Sequence, residues 1–246
     1  MRLLLLGTTG YHPSKDRHTA CFMLPDQGIV LDAGTAMFRI ADHLVTDTLD
    51  IFLSHAHLDH VMGLTHLLGV LHERPMRRVA VHGMPDKLLA VKEHLFAEAI
   101  FPVEPEFDLV PLTEEVELPD SGRLTHFPLR HPGTARGFRL DWPGHSLAYV
   151  TDTTAHASAD YIEKIRGVDL LLHECYFPDG YEELAEVTGH SCTSPVAKLA
   201  RDAEVGRLVL IHMNPAATEE DPVGLDVARA IFPETQLGCD NTELSF

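Results

Sequence analysis

The segment Ser54-His55-Ala56-His57-Leu58-Asp59-His60 places three imidazoles and a carboxylate within six positions, directly after the apolar run Ile51-Phe52-Leu53. A chain that does this must build a rigid scaffold around the cluster. Along an extended backbone alternate side chains share a side, so His55 and His57 point together across Ala56. Asp59 and His60 follow where the chain leaves the strand for a helix, and Gly63 permits a close local approach. Four groups able to bind metal therefore converge at one strand end. Random placement of this composition produces such a cluster in roughly one of 200 chains.

Two or four ligands do not complete one or two metal sites, so further His or Asp residues are expected at other strand ends. The sequence has His131 after Leu124-Leu129, Asp152 after Ser146-Val150 and His212 after Leu208-Ile211. Taken singly, each is as well explained as a turn residue or cap. Together with the first cluster they form a ligand set.

A chain of 246 residues with 45% hydrophobic and 23% charged residues suits one α/β domain with a full core, residues 1–246. The opening MRLLLLGTTG holds only four consecutive leucines, too few for a signal-peptide core or a membrane span, and reads as the first strand of a cytoplasmic protein. Cys21, Cys175, Cys192 and Cys239 show no paired spacing and read as reduced thiols. The formal net charge of -18, from 19 basic and 37 acidic residues, opposes tight binding to nucleic acid or an anionic membrane.

Strands are expected at Leu3-Leu6, Cys21-Leu24, Ile29-Leu31, Ile51-Leu53, Arg78-Val81, Leu124-Leu129, Gly137-Leu140, Ser146-Val150, Leu170-Leu172 and Leu208-Ile211. Helices are expected at Val61-His72, Lys87-Ala97, Ala159-Ile165, Pro195-Ala203 and Leu225-Ile231, the fourth with Ser194 as N-cap. No linker or internal repeat is visible, and the polar, proline-broken interval Glu104 to Asp120 carries no expected element. Strands mixed with helices throughout favour two sheets covered by helices.

The HxHxDH cluster with single His, Asp and His downstream resembles the metallo-β-lactamase fold superfamily, and within it the ribonuclease Z branch. LLLLGTTGYHPSKDRHT is similar to that branch's N-terminal strand, turn and Pro-Ser…Arg segment, and GIVLDAGTAMFRI to its next hairpin. HPGTARGFRL, VTDTT, LLHECYF and GHSC match in order, so the likeness runs from Met1 to about His212. It implies an αββα sandwich, two mixed sheets flanked by helices, and a binuclear metal-dependent hydrolase. His55, His57 and His131 would then hold one ion, Asp59, His60 and His212 a second, with Asp152 bridging. Two such ions lie about 3.5–4 Å apart and acidify a shared water, which attacks phosphorus or a carbonyl carbon. Imidazole-rich ligation suits zinc, with manganese or iron as alternatives.

The resemblance also implies that His190 protonates the leaving oxygen while Glu174 fixes its tautomer, and it places Asp59 at the catalytic centre. Read from residues alone, Glu174 is more readily a strand-end cap and His190 the start of the turn before a helix. His156, four residues after Asp152, is a rival ligand in a small-residue loop. His173 faces away from Glu174, Cys192 near His190 reads as a small buried residue, and Asp32 reads as a turn residue that the resemblance would place beneath the ligands as support.

Three departures from the ribonuclease Z pattern bear on substrate. No segment is long and basic enough to be the inserted arm that grips tRNA. His212 is followed by Met213-Asn214-Pro215 rather than Ser and Arg-Tyr, and the His-Ser-Thr motif reads His190-Ser191-Cys192. The expected activity is hydrolysis of a small phosphodiester, a cyclic nucleotide or short RNA. The alternatives are tRNA 3′ processing, lactone or thioester hydrolysis, and a non-catalytic metal-stabilised binding protein. Stable tRNA binding and a membrane partner are disfavoured, and a homodimer stays open.

Overall fold

A computed structural model of the chain describes residues 1–217 and 219–246. Its contacts divide into two compact units, residues 1–113 with 239–245, and residues 114–238 with 246.

The first unit is built on a seven-stranded sheet. Its strands are β1 (Arg2–Gly7), β2 (Cys21–Leu24), β3 (Ile29–Leu31), β4 (Thr48–Phe52), β5 (Arg78–Gly83) and β6 (Asp108–Pro111), with β14 (Thr242–Ser245) returning from the C-terminus beside β1. From β14 to β3 the pairings are antiparallel, and from β3 to β6 they are parallel. Leu4, Leu6, Met23, Val30, Ile51 and Val81 pack with Met37, Leu64 and Leu67 into one core. Asp240, just before β14, accepts hydrogen bonds from Thr8 N (3.0 Å), Thr8 Oγ1 (2.8 Å) and His18 N (2.8 Å), and pairs with Arg39 at 2.6 Å.

The second unit carries β7 (Glu115–Leu118), β8 (Gly122–Leu129), β9 (Ala135–Trp142), β10 (His145–Val150), β11 (Leu170–Glu174), β12 (Arg207–Ile211) and β13 (Thr235–Leu237), paired in that order. It repeats the first unit's pattern: antiparallel from β7 to β10, then parallel from β10 to β13. Strand β8 mixes buried and exposed positions, with buried Leu124 and Phe127 three residues apart and so on opposite faces, whereas β11 is buried throughout. Leu171, Leu208 and Leu210 pack against Val196, Leu199 and Ala200.

Expected strands recur, most lengthened by one or two residues, and β2 and β3 coincide with expectation. The helices need more correction. The single helix expected over Val61-His72 is instead α1 (Leu58–Val61), a 3-10 segment (Met62–His66) and α2 (Leu67–Glu73). The break serves a close approach: Gly63 N donates to Ala33 O at 2.8 Å, and a Cβ on Gly63 would overlap the Gly34 carbonyl oxygen. The expected Lys87-Ala97 helix begins earlier, as α3 (Pro85–Ala90) with proline in its first turn, and ends in a π-helical turn, Val91–Leu95. Only Ile162–Ile165 (α4) of the expected Ala159-Ile165 is α-helical.

Helix α5 (Glu182–Thr188) was not expected, although Glu182 and Glu183 in its first turn and left-handed Gly189 after its last are end signals. Helix α6 (Thr193–Asp202) starts two residues earlier than expected, with Cys192 as N-cap; Ser194 N instead donates to Asp179 Oδ1 at 2.8 Å. Helix α7 (Leu225–Ile231) matches. Strands β6 and β7 lie inside the interval expected to be featureless. Both are partly solvated edge strands, too polar to show an apolar run.

Candidate metal centre

Both units place their candidate site residues at or after strand ends, most of them those of parallel strands. In the first, Asp32 follows β3 and the histidine cluster follows β4. Asp32, fully buried and in the left-handed region at φ 57°, accepts from Ser54 N, Ser54 Oγ and His60 Nδ1, each at 2.7 Å. The Ser54 hydroxyl, having given its proton to Asp32, accepts from His55 Nδ1 at 3.0 Å. Two imidazoles are thus protonated on Nδ1 and present the Nε2 lone pair outward. The His55 ring lies 4.5 Å from that of His57 and 4.2 Å from that of His60, between centroids. Asp59 is held by Tyr11 N, which donates to Oδ2 at 2.7 Å, and that same oxygen is 3.3 Å from His60 Nε2.

In the second unit, His131 follows β8, Asp152 follows β10, Glu174 ends β11 and His212 follows β12. Asp152 and His212 are both left-handed, at φ 39° and 57°. A non-glycine residue held there is strained, and such strain persists where surrounding structure enforces it. Asp152 Oδ2 lies 3.4 Å from His131 Nε2, and its Oδ1 lies 3.2 Å from His212 Nε2. Ligand atoms of Asp152, His190 and His212 fall within 4.8 Å of one another. His131 Nδ1 donates to the Gly189 carbonyl at 3.0 Å.

These contacts test whether a cation fits. A carbonyl only accepts, so the neutral His131 ring turns its Nε2 lone pair toward Asp152. His60, donating from Nδ1 to Asp32, does the same toward Asp59. Two electron-rich atoms 3.3–3.4 Å apart need a proton or a cation between them. Imidazole nitrogens fixed through their opposite nitrogen, beside carboxylates, are the donor set of zinc-like divalent ions.

Glu174, fully buried, accepts from Thr153 N (2.9 Å), Ser191 N (3.1 Å) and His190 Nδ1 (3.0 Å). The His190 ring stacks on Tyr176 at 4.7 Å. His156 turns instead to Glu186, with Nε2 3.3 Å from Oε2, and stands half-exposed. His173 accepts from the Tyr161 hydroxyl at 2.9 Å and donates to the Glu174 carbonyl, and burial lowers its pKa. Burial raises the Cys192 thiol to about 11, so it is protonated at neutral pH and no ready nucleophile. Sequence reasoning missed Ser54, Ser191 and Tyr176. The two serines directly adjoin named histidines, which is a usable signal, and Tyr176 stands in the matched stretch LLHECYF two residues after Glu174.

A family model described as a β-lactamase superfamily domain matches residues 27–213. The chain belongs to the metallo-β-lactamase superfamily. A ribonuclease Z from Synechococcus sp. is 43% identical over 102 residues, 40% of this chain and 31% of that protein. Ribonuclease BN from Citrobacter koseri is 28% identical over 98% of both chains, in an alignment running to 309 positions against this chain's 246 residues. Among solved structures, the superfamily protein YhfI from Bacillus subtilis superposes with TM-score 0.79 at 18% identity, covering 99% of each chain. The short form of human tRNase Z gives 0.76 at 20% identity, over 100% of this chain and 99% of that one. A diphosphatase of the PhnP family gives 0.75 at 18%, over 100% and 97%. The expected fold class is therefore correct, and the chain is a hydrolase of this superfamily. Among the described residues no helix is long and apolar enough to cross a membrane.

Proposed function

We propose that the chain works as one hydrolase domain, a binuclear metal-dependent phosphodiesterase for small or flexible diesters. The observation that carries this reading is His190, tied to buried Glu174 and set among Asp152 and His212. His55, His57 and His131 would hold one divalent ion and Asp59, His60 and His212 the other, with Asp152 between them. Bound there, the ions supply Lewis acidity toward the phosphoryl oxygens and make an attacking water more acidic. Glu174 keeps the His190 proton on Nδ1 in the neutral ring. Once protonated, His190 donates from Nε2 to the departing alkoxide, which phosphodiesters with poor leaving groups require. Ser54 and Asp32 hold His55 and His60 in the tautomer that binds a cation.

A small substrate is supported by the state of the arginines. Arg77 pairs with Asp47, Arg78 with Asp50, Arg130 with Glu186, Arg139 with Asp141 and Arg166 with Glu163. Each of these five guanidinium groups already faces a carboxylate, and a folded RNA needs many unspent cations at its phosphates. The names of the curated relatives favour a second reading, ribonuclease action on tRNA. The deciding measurement compares bis-p-nitrophenyl phosphate and 2′,3′-cyclic nucleotides with precursor tRNA at moderate salt, together with the salt slope of tRNA binding. Diester turnover with weak, steeply salt-dependent tRNA binding is expected. Efficient, site-specific tRNA cleavage would restore the ribonuclease reading.

A further inference from the structure

We propose that Tyr176 is a positioning residue for His190, its phenol ring fixing the direction in which the histidine delivers its proton. This rests on the phosphodiesterase reading of His190. The Nδ1 hydrogen bond to Glu174 anchors one atom of the imidazole, and the outer torsion of a histidine side chain is broad. Rotation about that anchor would swing Nε2 away from a leaving group. A ring laid flat on the imidazole opposes the swing, and Tyr176 supplies it: the centroids are 4.7 Å apart and the planes 16° from parallel. The other rings near His190 sit farther off, His131 at 5.2 Å and 51° and His212 at 5.4 Å and 30°.

Tyr176 can act this way because its own backing is firm. Its N–H and that of Phe177 both donate to the Ser191 carbonyl at 3.1 Å, so the segment bearing the phenol is tied to the residue after His190. Behind the ring lies a small apolar cluster of Phe177, Ala185 and Cys192. Ala185 belongs to α5, and its carbonyl accepts from both Gly189 N and His190 N at 2.9 Å. The cluster that supports the phenol therefore also sets the backbone from which His190 rises. In this arrangement the flat face acts and the hydroxyl is dispensable.

The test uses the zinc-reconstituted chain and its Tyr176→Phe and Tyr176→Leu variants. Proton–carbon NMR of the His190 ring, assigned by the peaks missing in His190→Ala, should show an upfield ring-current shift in the wild type and Tyr176→Phe that disappears in Tyr176→Leu. With diesters of graded leaving-group pKa, Tyr176→Leu should lower kcat on the order of 10–10²-fold for the poorest leaving groups and little for p-nitrophenolate. KM and metal content should hold, and Tyr176→Phe should keep most of the turnover. An unmoved His190 signal in Tyr176→Leu, or equal loss across all leaving groups, overturns the proposal. Loss in Tyr176→Phe as deep as in Tyr176→Leu also overturns it, because the hydroxyl would then be the acting group. A ring-current signature without any diester turnover upholds the stack and refutes the phosphodiesterase reading, which keeps the two failures apart.

Discussion

The two units share one strand-pairing pattern, three antiparallel pairings followed by three parallel ones, yet they furnish their chemistry in opposite ways. The first gathers His55, His57, Asp59 and His60 in the single turn after β4, with Asp32 beneath. The second spreads His131, Asp152, Glu174 and His212 over four strand ends, adding His190 from the turn before α6. The lesson concerns what holds a ligand in place. In the first unit local backbone gathers the candidate ligands, and Asp32 and Tyr11 brace them from 28 and 48 residues away. In the second the register of the sheet does it, and each ligand depends on strands remote in sequence.

The largest effect that would test this contrast comes from Asp152. Asp152→Ala should reduce bound metal from about two ions per chain to almost none, measured by elemental analysis after gel filtration, whereas His131→Ala should mainly empty one position. Equal, small losses from both would remove Asp152 from its bridging place. Next is His190→Ala, expected to slow turnover of poor-leaving-group diesters on the order of 10²–10⁴-fold with metal content intact. Partial recovery on p-nitrophenyl esters is expected, and metal loss in this variant would make His190 a ligand instead. Asp32→Asn probes the first unit: it swaps an acceptor oxygen for an amide and should weaken metal binding about 10–100-fold in a chelator competition. Unchanged affinity would show that the turn after β4 needs no support from β3.

The smallest effect is one of pH. Burial pushes the Asp50 pKa up, but hydrogen bonds from His82 and Arg78 outweigh it and hold the carboxyl below its usual value. The native state thus favours the ionised form. The resulting stability is in full force above the unfolded carboxylate pKa of about 3.9 and is lost as pH falls from there through the lowered native value. Asp50→Asn should cost about 1–2 kcal/mol at neutral pH and flatten the acid limb of a denaturation profile. An acid limb as steep as that of the wild type would locate the sensitivity elsewhere.

The same contrast explains what could be read from the chain in advance. The cluster at His55–His60 announces itself because spacing alone brings its groups together. His131, Asp152 and His212 were legible only because each follows an apolar run that had to be a strand. Strands β6 and β7 escaped because edge strands need little apolar surface, and Val61-His72 was drawn as one helix because the close approach that Gly63 permits did not reveal its partner, Gly34, or the break that it needs. The pairing of Tyr176 with His190 was invisible for a different reason, although the stretch LLHECYF that holds the tyrosine was matched. Its partner is 14 residues away across a helix and a turn, a relation that no period of strand or helix encodes.

The return of the C-terminus to β1 bears on the order in which the protein can be made. During synthesis the second sheet, within residues 114–238, has all its strands before the first has its seventh. Until β14 emerges, the flank of β1 lacks the strand that pairs with it, and Arg39 waits for Asp240, 201 residues further along the chain. Pairings this distant in sequence form late. The unit whose candidate ligands are written most locally is therefore the later of the two to gain all its strands, and a chain cut before Thr242 keeps every strand of its second sheet while its first lacks one.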